Sequence, residues 1–322
     1  MSKDKQEVNA FSFPGSDIAN LQRFRKEAMA TIFHVFIVHE DREYAGQAAW
    51  EAFDVLDDLE QHFSRFIANS DISQINRLGE GESVVVSLPT FECLQQAKDM
   101  YERTFGAFDV TVGTLYKAWL REDKSIKMPG REELEFAREH TGADKIKLNE
   151  ESFTVTLEEA PLSVDLGGIG KGFAIDRMME VLREWEVESA MISGGGSTVL
   201  ASGAPAGLDG WPIKVRSPLE RSHTLTKLDL CGQAFSGSGI IKSQHIIDPR
   251  KGMPVSSVLS AWASAENGAF ADALSTAATV MSRDEMRKYC EKHRGAMLMT
   301  AVKNIDKPGD VEMFKAGCWP EK

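Results

Sequence analysis

The residues best suited to chemistry lie in a glycine-rich stretch, DLGGIGKG, which runs from Asp165 to Gly172. Its glycines, placed between a predicted strand and a predicted helix, let the backbone approach a ligand closely and point N–H groups at an anion. Lys171 adds a mobile positive charge. The stretch lacks the Ser or Thr that follows Gly-Lys in a P-loop and the last glycine of the dinucleotide fingerprint. It predicts phosphate binding of no named class, and a glycine turn with a solvated lysine is an equal alternative.

A second feature is the pair Asp272 and Thr276, which lie four positions apart on an otherwise apolar helical segment, AFADALSTAATVM. Residues with this spacing share one face of a helix. We expect the carboxylate on an exposed face, where it and the hydroxyl are hard oxygen ligands suited to Mg²⁺. The commoner alternative for such a pair in isolation is helix capping together with a Thr bonded to its own helix.

The third feature is His245, which precedes Asp248, Pro249 and a glycine in the segment HIIDPRKG. This context places the histidine on or next to a loop, where it could meet a ligand. Taken alone, a structural histidine is the better interpretation. Two more stretches, GAFDVTVG at 106–113 and ISGGGS at 192–197, have the glycines and small polar residues expected of loops that contact a ligand.

Hydrophobic periodicity predicts the elements that position these residues. Helices are expected at about 42–67, 89–104, 133–140, 268–281 and 283–293, and one more is expected after the glycine-rich turn, carrying Phe173, Ile175, Met179 and Leu182. Strands are expected at 31–39, which we take as the first, in a hairpin at 145–157, through much of 189–265, and at 296–302. Because strands come in runs, with helices between the runs, the pattern favours an α+β fold that mixes sheet and helices over a doubly wound parallel sheet.

Composition narrows the possible partners. The formal charge of -12 and the pI near 5.2 argue against a general affinity for nucleic acid or anionic membranes. The N-terminus has no apolar run, so no secretory signal or membrane segment is predicted, and we expect a cytoplasmic protein. We divide the chain into an N-terminal extension, 1–28, and one functional domain, 29–322.

Together and in this order, the motifs resemble the ApbE family of flavin transferases. The resemblance begins near Met29 and passes through SRFIANSDISQIN, GAFDVTVG, DLGGIGKGFAID, ISGGG, WPIKVRSP and HIIDPRKG to ADALSTA. It implies an α+β, T-fold-like domain that binds FAD. It further implies Mg²⁺-dependent transfer of FMN from FAD to a Thr or Ser hydroxyl of an acceptor flavoprotein, with release of AMP.

The resemblance also implies roles for individual residues. His245 corresponds to the catalytic histidine and takes the proton of the attacking hydroxyl. The expected metal ligands are Gly168, through its carbonyl, Asp272 and Thr276. The expected contacts to FAD are Met29, Phe66, Ala107, Phe108, Asp109, Asp165, Lys171 and Ile247.

Four positions depart from the family pattern, namely Ala30 for Gly, Gly196 for an acidic residue, Lys251 for Thr, and Phe66 for the frequent Tyr. The metal pair, the glycine-rich stretch and His245 are intact, so we expect the chemistry to be retained. Two alternatives stay open. One is an FAD pyrophosphatase that gives FMN and AMP with water as acceptor, and the other is a non-catalytic FAD-binding protein.

Overall fold

The computed structural model describes residues 11–13, 18–121, 125–220, 222–240, 246–304, 307 and 310–320. Within these ranges the chain forms the predicted α+β fold. The helices are α1 (Arg42–Phe63), α2 (Asp71–Ile75), α3 (Leu88–Arg103), α4 (Gly113–Trp119), α5 (Arg131–Glu139), α6 (Gly170–Glu184), α7 (Gly268–Ala278) and α8 (Arg283–Lys292). The strands are β1 (Phe11–Ser12), β2 (Leu21–Ala28), β3 (Thr31–Val38), β4 (Ser83–Val85), β5 (Ile146–Asn149), β6 (Thr154–Leu157), β7 (Ala190–Gly194), β8 (Thr198–Ser202), β9 (Trp211–Arg216), β10 (Thr224–Leu230), β11 (Ala234–Gly239), β12 (Ile247–Asp248), β13 (Met253–Pro254), β14 (Val258–Ala265), β15 (Met297–Lys303) and β16 (Val311–Ala316).

The centre of the described structure is an eight-stranded sheet in the order β16-β15-β14-β11-β8-β7-β3-β2. Its neighbouring strands pair antiparallel throughout. One face of this sheet packs against α1, α6 and α7 in the larger hydrophobic core. The other face packs against the three-stranded sheet β1-β9-β10 around the buried side chains of Trp211 and Trp262. The fold therefore has three layers, with the helices on one side only.

Helices α6 and α7, which carry the glycine-rich stretch and the predicted metal pair, cross at very close range. A Cβ at Gly172 would lie only 2.1 Å from the carbonyl oxygen of Gly268. Only glycine permits this approach, because any side chain would force the two helix starts apart. Asp176 of α6 reinforces the crossing, since its carboxylate accepts hydrogen bonds from the amides of Gly268 (2.6 Å) and Ala269 (2.9 Å).

The structure corrects several expected boundaries. The strand Leu21–Ala28 precedes Thr31–Val38 and pairs with it at the sheet edge, so the first strand of the sheet is not at 31–39. Its residues alternate between half-buried and exposed, with few β-branched side chains, which left no strong strand signal. The helix predicted over 42–67 ends at Phe63, because Ser64 turns to extended backbone.

Two helices were not predicted, α2 and the short helix α4, which begins at Gly113 at the end of the stretch GAFDVTVG. The strand predicted just before the glycine-rich stretch is reduced to an isolated bridge between Ser163 and Val112. In the ranges that the structure describes, no helix combines the length and the apolar character needed to cross a membrane.

Candidate functional site

The Asp272 carboxylate lies at the centre of the site, and it is buried rather than on an exposed face as we expected, with the residue only 3% exposed. Its Oδ1 accepts hydrogen bonds from the hydroxyls of Thr198 (3.1 Å) and Ser236 (3.3 Å). Its Oδ2 accepts from the amide of Gly172 (3.2 Å) and from Lys171 Nζ (3.3 Å). Strands β8 and β11 and helix α6 thus all converge on one carboxylate of α7.

Thr276 lies one helical turn beyond Asp272, as its spacing predicted. Its hydroxyl is 3.1 Å from the Ser238 hydroxyl and 3.3 Å from the backbone oxygen of Asp272. A Cβ at Gly168 would lie 3.4 Å from Thr276 Oγ1 and 3.1 Å from the ring of Phe108. The glycine-rich stretch, the metal pair and one predicted flavin contact therefore meet at one place.

Asp165 begins the glycine-rich stretch and fixes its conformation. Its Oδ1 accepts a hydrogen bond from the amide of Gly167 (2.7 Å), and its Oδ2 forms an ion pair with Arg65 (2.9 Å). The Arg65 guanidinium also lies 4.9 Å from the centroid of the Phe66 ring, which is 84% exposed. A large apolar side chain presented to solvent beside the stretch is suited to stacking on a flat ligand.

The residues Ala107, Phe108 and Asp109 are all buried. The Asp109 carboxylate accepts hydrogen bonds from the amide and the hydroxyl of Thr111, both at 2.7 Å. Burial raises the pKa of Asp109 to about 6, although these bonds from Thr111 act to lower it. Asp109 also borders a cavity of about 230 Å³ that Pro249 and Arg250 line on the other side.

Met29 and Ala30 form the tight turn between β2 and β3. Both adopt the left-handed region, with φ of 50° and 58°. The Met29 amide donates to Glu60 Oε1 at 2.6 Å, which ties the turn to α1. The turn is adjacent to the β7–β8 turn, since the amide of Gly195 bonds to the carbonyl of Ile32 at 3.0 Å. Thr198, the first residue after that turn, donates a hydrogen bond to the Asp272 carboxylate.

The structure does not bring every predicted residue to this place. His245 lies outside the described residues. Ile247 is buried among Leu115, Ala118, Trp119 and Ala137, in a separate small core between α4 and α5. Its side chain belongs to that core, so its predicted contact with the flavin has no support in the described geometry.

The model of the ApbE family matches residues 29–299. The chain belongs to the ApbE family. A relative from Klebsiella pneumoniae (strain 342), named FAD:protein FMN transferase, is 29% identical to this chain over 202 residues. The match covers 60% of this chain and 62% of that protein, so this chain spans less than two thirds of that relative's length. A relative of the same name from Chlamydia muridarum (strain MoPn / Nigg) is 28% identical over 262 residues, covering 79% of this chain and 82% of its own length.

The solved structure of the flavin transferase ApbE from Vibrio cholerae superposes with a TM-score of 0.80. The match covers 92% of this chain and 97% of that one at 24% identity, and it shows that the two share a fold. The predicted α+β family fold is thereby confirmed.

The oxygen atoms that Asp272, Thr276 and Gly168 offer as ligands are of the kind that suits the Mg²⁺ ion that the family implies. No group of three or more His, Cys, Asp or Glu side chains suited to a metal ion occurs in the described ranges. A site made of one carboxylate, one hydroxyl and one carbonyl is nevertheless typical of Mg²⁺, which is often held by few protein ligands together with water and substrate phosphates. Gly168 lies next to Thr276, and the Thr276 hydroxyl lies 3.3 Å from the backbone oxygen of Asp272, so the three residues that the family pattern names are neighbours.

Several residues of the site were missed by the sequence reasoning. Arg65 is one, although it stands beside Phe66 in the motif SRF. The hydroxyls of Thr198, Ser236 and Ser238 are others. Only the pairing of β8 with β11 reveals that Thr198 and Ser236 face the same carboxylate, and Ser238 lies beside Thr276 instead.

Proposed function

We propose that this chain transfers FMN from FAD to a Thr or Ser hydroxyl of an acceptor flavoprotein and releases AMP. The observation that carries the proposal is the convergence of Asp272, Thr276 and Lys171 at a glycine-rich stretch beside the exposed ring of Phe66. A pyrophosphate group requires positive charge and backbone N–H groups close to its oxygens. A flavin ring requires a flat apolar surface on which it can stack. The name that the curated relatives carry, FAD:protein FMN transferase, supports the same reaction.

Different groups of the protein would bind the phosphates and the isoalloxazine ring of FAD. Lys171 and the amides of the glycine-rich stretch would hold phosphate oxygens, because that stretch combines a cation with accessible N–H groups. Phe66 offers an aromatic face to the isoalloxazine ring. Met29, Ala107, Phe108, Asp109 and Asp165 surround these groups in the proposal, and Ile247 has the weakest support among the contacts.

The Gly168 carbonyl, Asp272 and Thr276 would hold Mg²⁺. The bound ion supplies neutralisation of the charge on the phosphates, on which phosphoryl transfer largely depends. Asp272 suits this role because its position is fixed by three elements of the fold, so little reorganisation is needed.

The transfer step requires that a hydroxyl attack the phosphorus of the FMN half. His245 would accept the hydroxyl proton as the new oxygen–phosphorus bond forms. The bond from this phosphorus to the bridging oxygen breaks, and AMP leaves with that oxygen. His245 enters the proposal from the sequence motif alone, as do the acceptor protein and the cytoplasmic location, which stay predictions.

The test is mass spectrometry of candidate flavoproteins after incubation with this chain, FAD and Mg²⁺. We expect an acceptor peptide whose Thr or Ser carries FMN. Free FMN and AMP with unmodified acceptors would instead indicate the pyrophosphatase, and intact FAD bound to the chain would indicate a non-catalytic FAD-binding protein. Omitting Mg²⁺ is the matched control, and the proposal requires that the modification then disappear.

A further inference from the structure

The Asp272 carboxylate is closely surrounded by donor groups. Four lie within hydrogen-bond distance of its two oxygens, namely the hydroxyls of Thr198 and Ser236, the amide of Gly172 and the ammonium of Lys171, and the Ser236 hydroxyl also lies 3.1 Å from the Ser197 carbonyl. A carboxylate offers about four lone-pair sites. A metal ion can therefore bind directly to Asp272 only when one of these donors leaves.

Lys171 is the donor most able to leave. Thr198 and Ser236 are fully buried strand residues, and the Gly172 amide is part of the α6 backbone. The Lys171 side chain is 23% exposed and holds the carboxylate at 3.3 Å, with a second bond to the Gly167 carbonyl at 3.0 Å. Its stem is flexible and its ammonium is readily hydrated, so moving it costs the least.

We propose that Lys171 is an internal competitor of the metal ion, which occupies Asp272 until Mg²⁺ displaces it. The inference rests on the proposed function only in taking Asp272 as a metal ligand. Two like charges cannot share one buried carboxylate oxygen without strong repulsion. The ammonium released from Asp272 becomes available to an anion at the glycine-rich stretch, so metal and pyrophosphate binding assist each other.

The first test measures Mg²⁺ affinity by isothermal titration calorimetry with no flavin present. Lys171→Met keeps the apolar stem and removes the ammonium, and we expect it to bind Mg²⁺ about tenfold more tightly than the wild type, because the ion no longer has to displace a charged hydrogen-bond donor. The matched control is Lys26→Met, since Lys26 is 22% exposed and forms an ion pair with Asp57 away from Asp272. This control should bind Mg²⁺ as the wild type does.

Equal or weaker binding by Lys171→Met would overturn the proposal, and so would the absence of Mg²⁺ binding in all three proteins. An equal gain in Lys26→Met would also overturn it, because the effect would then be one of net charge.

The second test uses the wild-type protein and asks whether the ammonium moves. N-hydroxysuccinimidyl acetate labels accessible amines, and peptide mass spectrometry reports the rate at each lysine. Saturating Mg²⁺ should raise the rate at Lys171 several-fold, as its bond to Asp272 is lost, and should leave Lys26 unchanged. An unchanged rate at Lys171 in protein that has bound Mg²⁺ would show that the ion and the ammonium coexist. Neither test involves flavin, so failure of the transferase assay would leave these results standing.

Discussion

At the scale of single residues, the proposed chemistry depends most on the carboxylate of Asp272. Its burial and the donors around it fix its position, which is the preorganisation that the proposed chemistry requires. The same burial means that truncation of this residue would damage the fold as well as the chemistry. A variant that keeps the shape of the side chain and removes only its charge is therefore the informative one.

We expect Asp272→Asn to lower FMN transfer by about 10³-fold or more, since loss of a catalytic metal ion costs several kcal/mol of transition-state stabilisation. The amide oxygen can still accept from Thr198 and Ser236, so circular dichroism should show an intact fold. Transfer rates across a Mg²⁺ titration provide the measurement. Asp57→Asn removes an exposed carboxylate and should behave as the wild type. Wild-type activity in Asp272→Asn would remove Asp272 from the metal site.

His245→Ala tests the predicted base. A positioned general base contributes about 10²–10⁴-fold in rate, so the variant should lose about that factor in FMN transfer with little change in FAD affinity. The wild-type rate should rise with pH through a pKa near neutrality, because neutral imidazole becomes available. This rising limb of the pH–rate profile should be absent from the variant. Survival of the limb would assign the base to another residue.

Ala30 offers a test of backbone strain. Its φ of 58° is left-handed, a conformation that costs a residue with a Cβ about 1 kcal/mol. Ala30→Gly should therefore raise the free energy of unfolding by about 1 kcal/mol in denaturant titrations. Ala68→Gly is the control, because Ala68 is also exposed but has an ordinary φ, and this change should lower stability. A loss of stability in both variants would contradict the account.

At the scale of elements, the site depends on loops that the core holds in place. Asp165 ties the glycine-rich stretch to Arg65, and Ser64, beside Arg65, accepts from the Ser70 hydroxyl at 2.6 Å through its carbonyl. A long helix such as α1 was predictable, because its apolar positions recur at helical spacing. Contacts such as Arg65 with Asp165 were not, because they join segments about 100 residues apart and follow no local period.

The loop that carries Asp109 has a pH dependence with a definite sign. The pKa of the Asp109 carboxyl, about 6 in the folded protein, lies above the ordinary value of an aspartic acid, so the folded state binds the proton more tightly than the unfolded state. The contribution to stability is present below about pH 4 and is lost as pH rises to about 6. This part of the unfolding free energy amounts to about 2–3 kcal/mol at 1.36 kcal/mol per pKa unit.

Asp109→Asn has no titrating carboxyl, so the fall in its unfolding free energy between pH 4 and 6 should be smaller than in the wild type by that amount. Denaturant unfolding at several pH values gives the change of unfolding free energy with pH for the wild type and for the variant. The two slopes can be compared even if the absolute stabilities differ. Identical slopes would show that Asp109 titrates alike in the folded and unfolded protein.

At the scale of the whole molecule, the antiparallel sheet brings β8 and β11 together beneath α7, and the site exists only in that arrangement. The fold class could be predicted, because strands come in runs with helices between the runs and the motifs keep the family order. The strand order could not, since β11 pairs with β8 and β14 across long connections that no turn signal specifies. The buried state of Asp272 follows from that order, which explains why the helix pattern alone placed it at the surface.

The central claim is that this site cleaves FAD by moving FMN to a protein hydroxyl. The most direct measurement is the ratio of AMP released to FMN bound covalently to an acceptor, determined by chromatography and peptide mass spectrometry in one reaction. The account predicts a ratio of about one with the wild-type chain and Mg²⁺, because each broken pyrophosphate bond delivers its phosphorus to one hydroxyl. AMP released with no FMN bound to the acceptor would contradict the claim, because water would then be the acceptor.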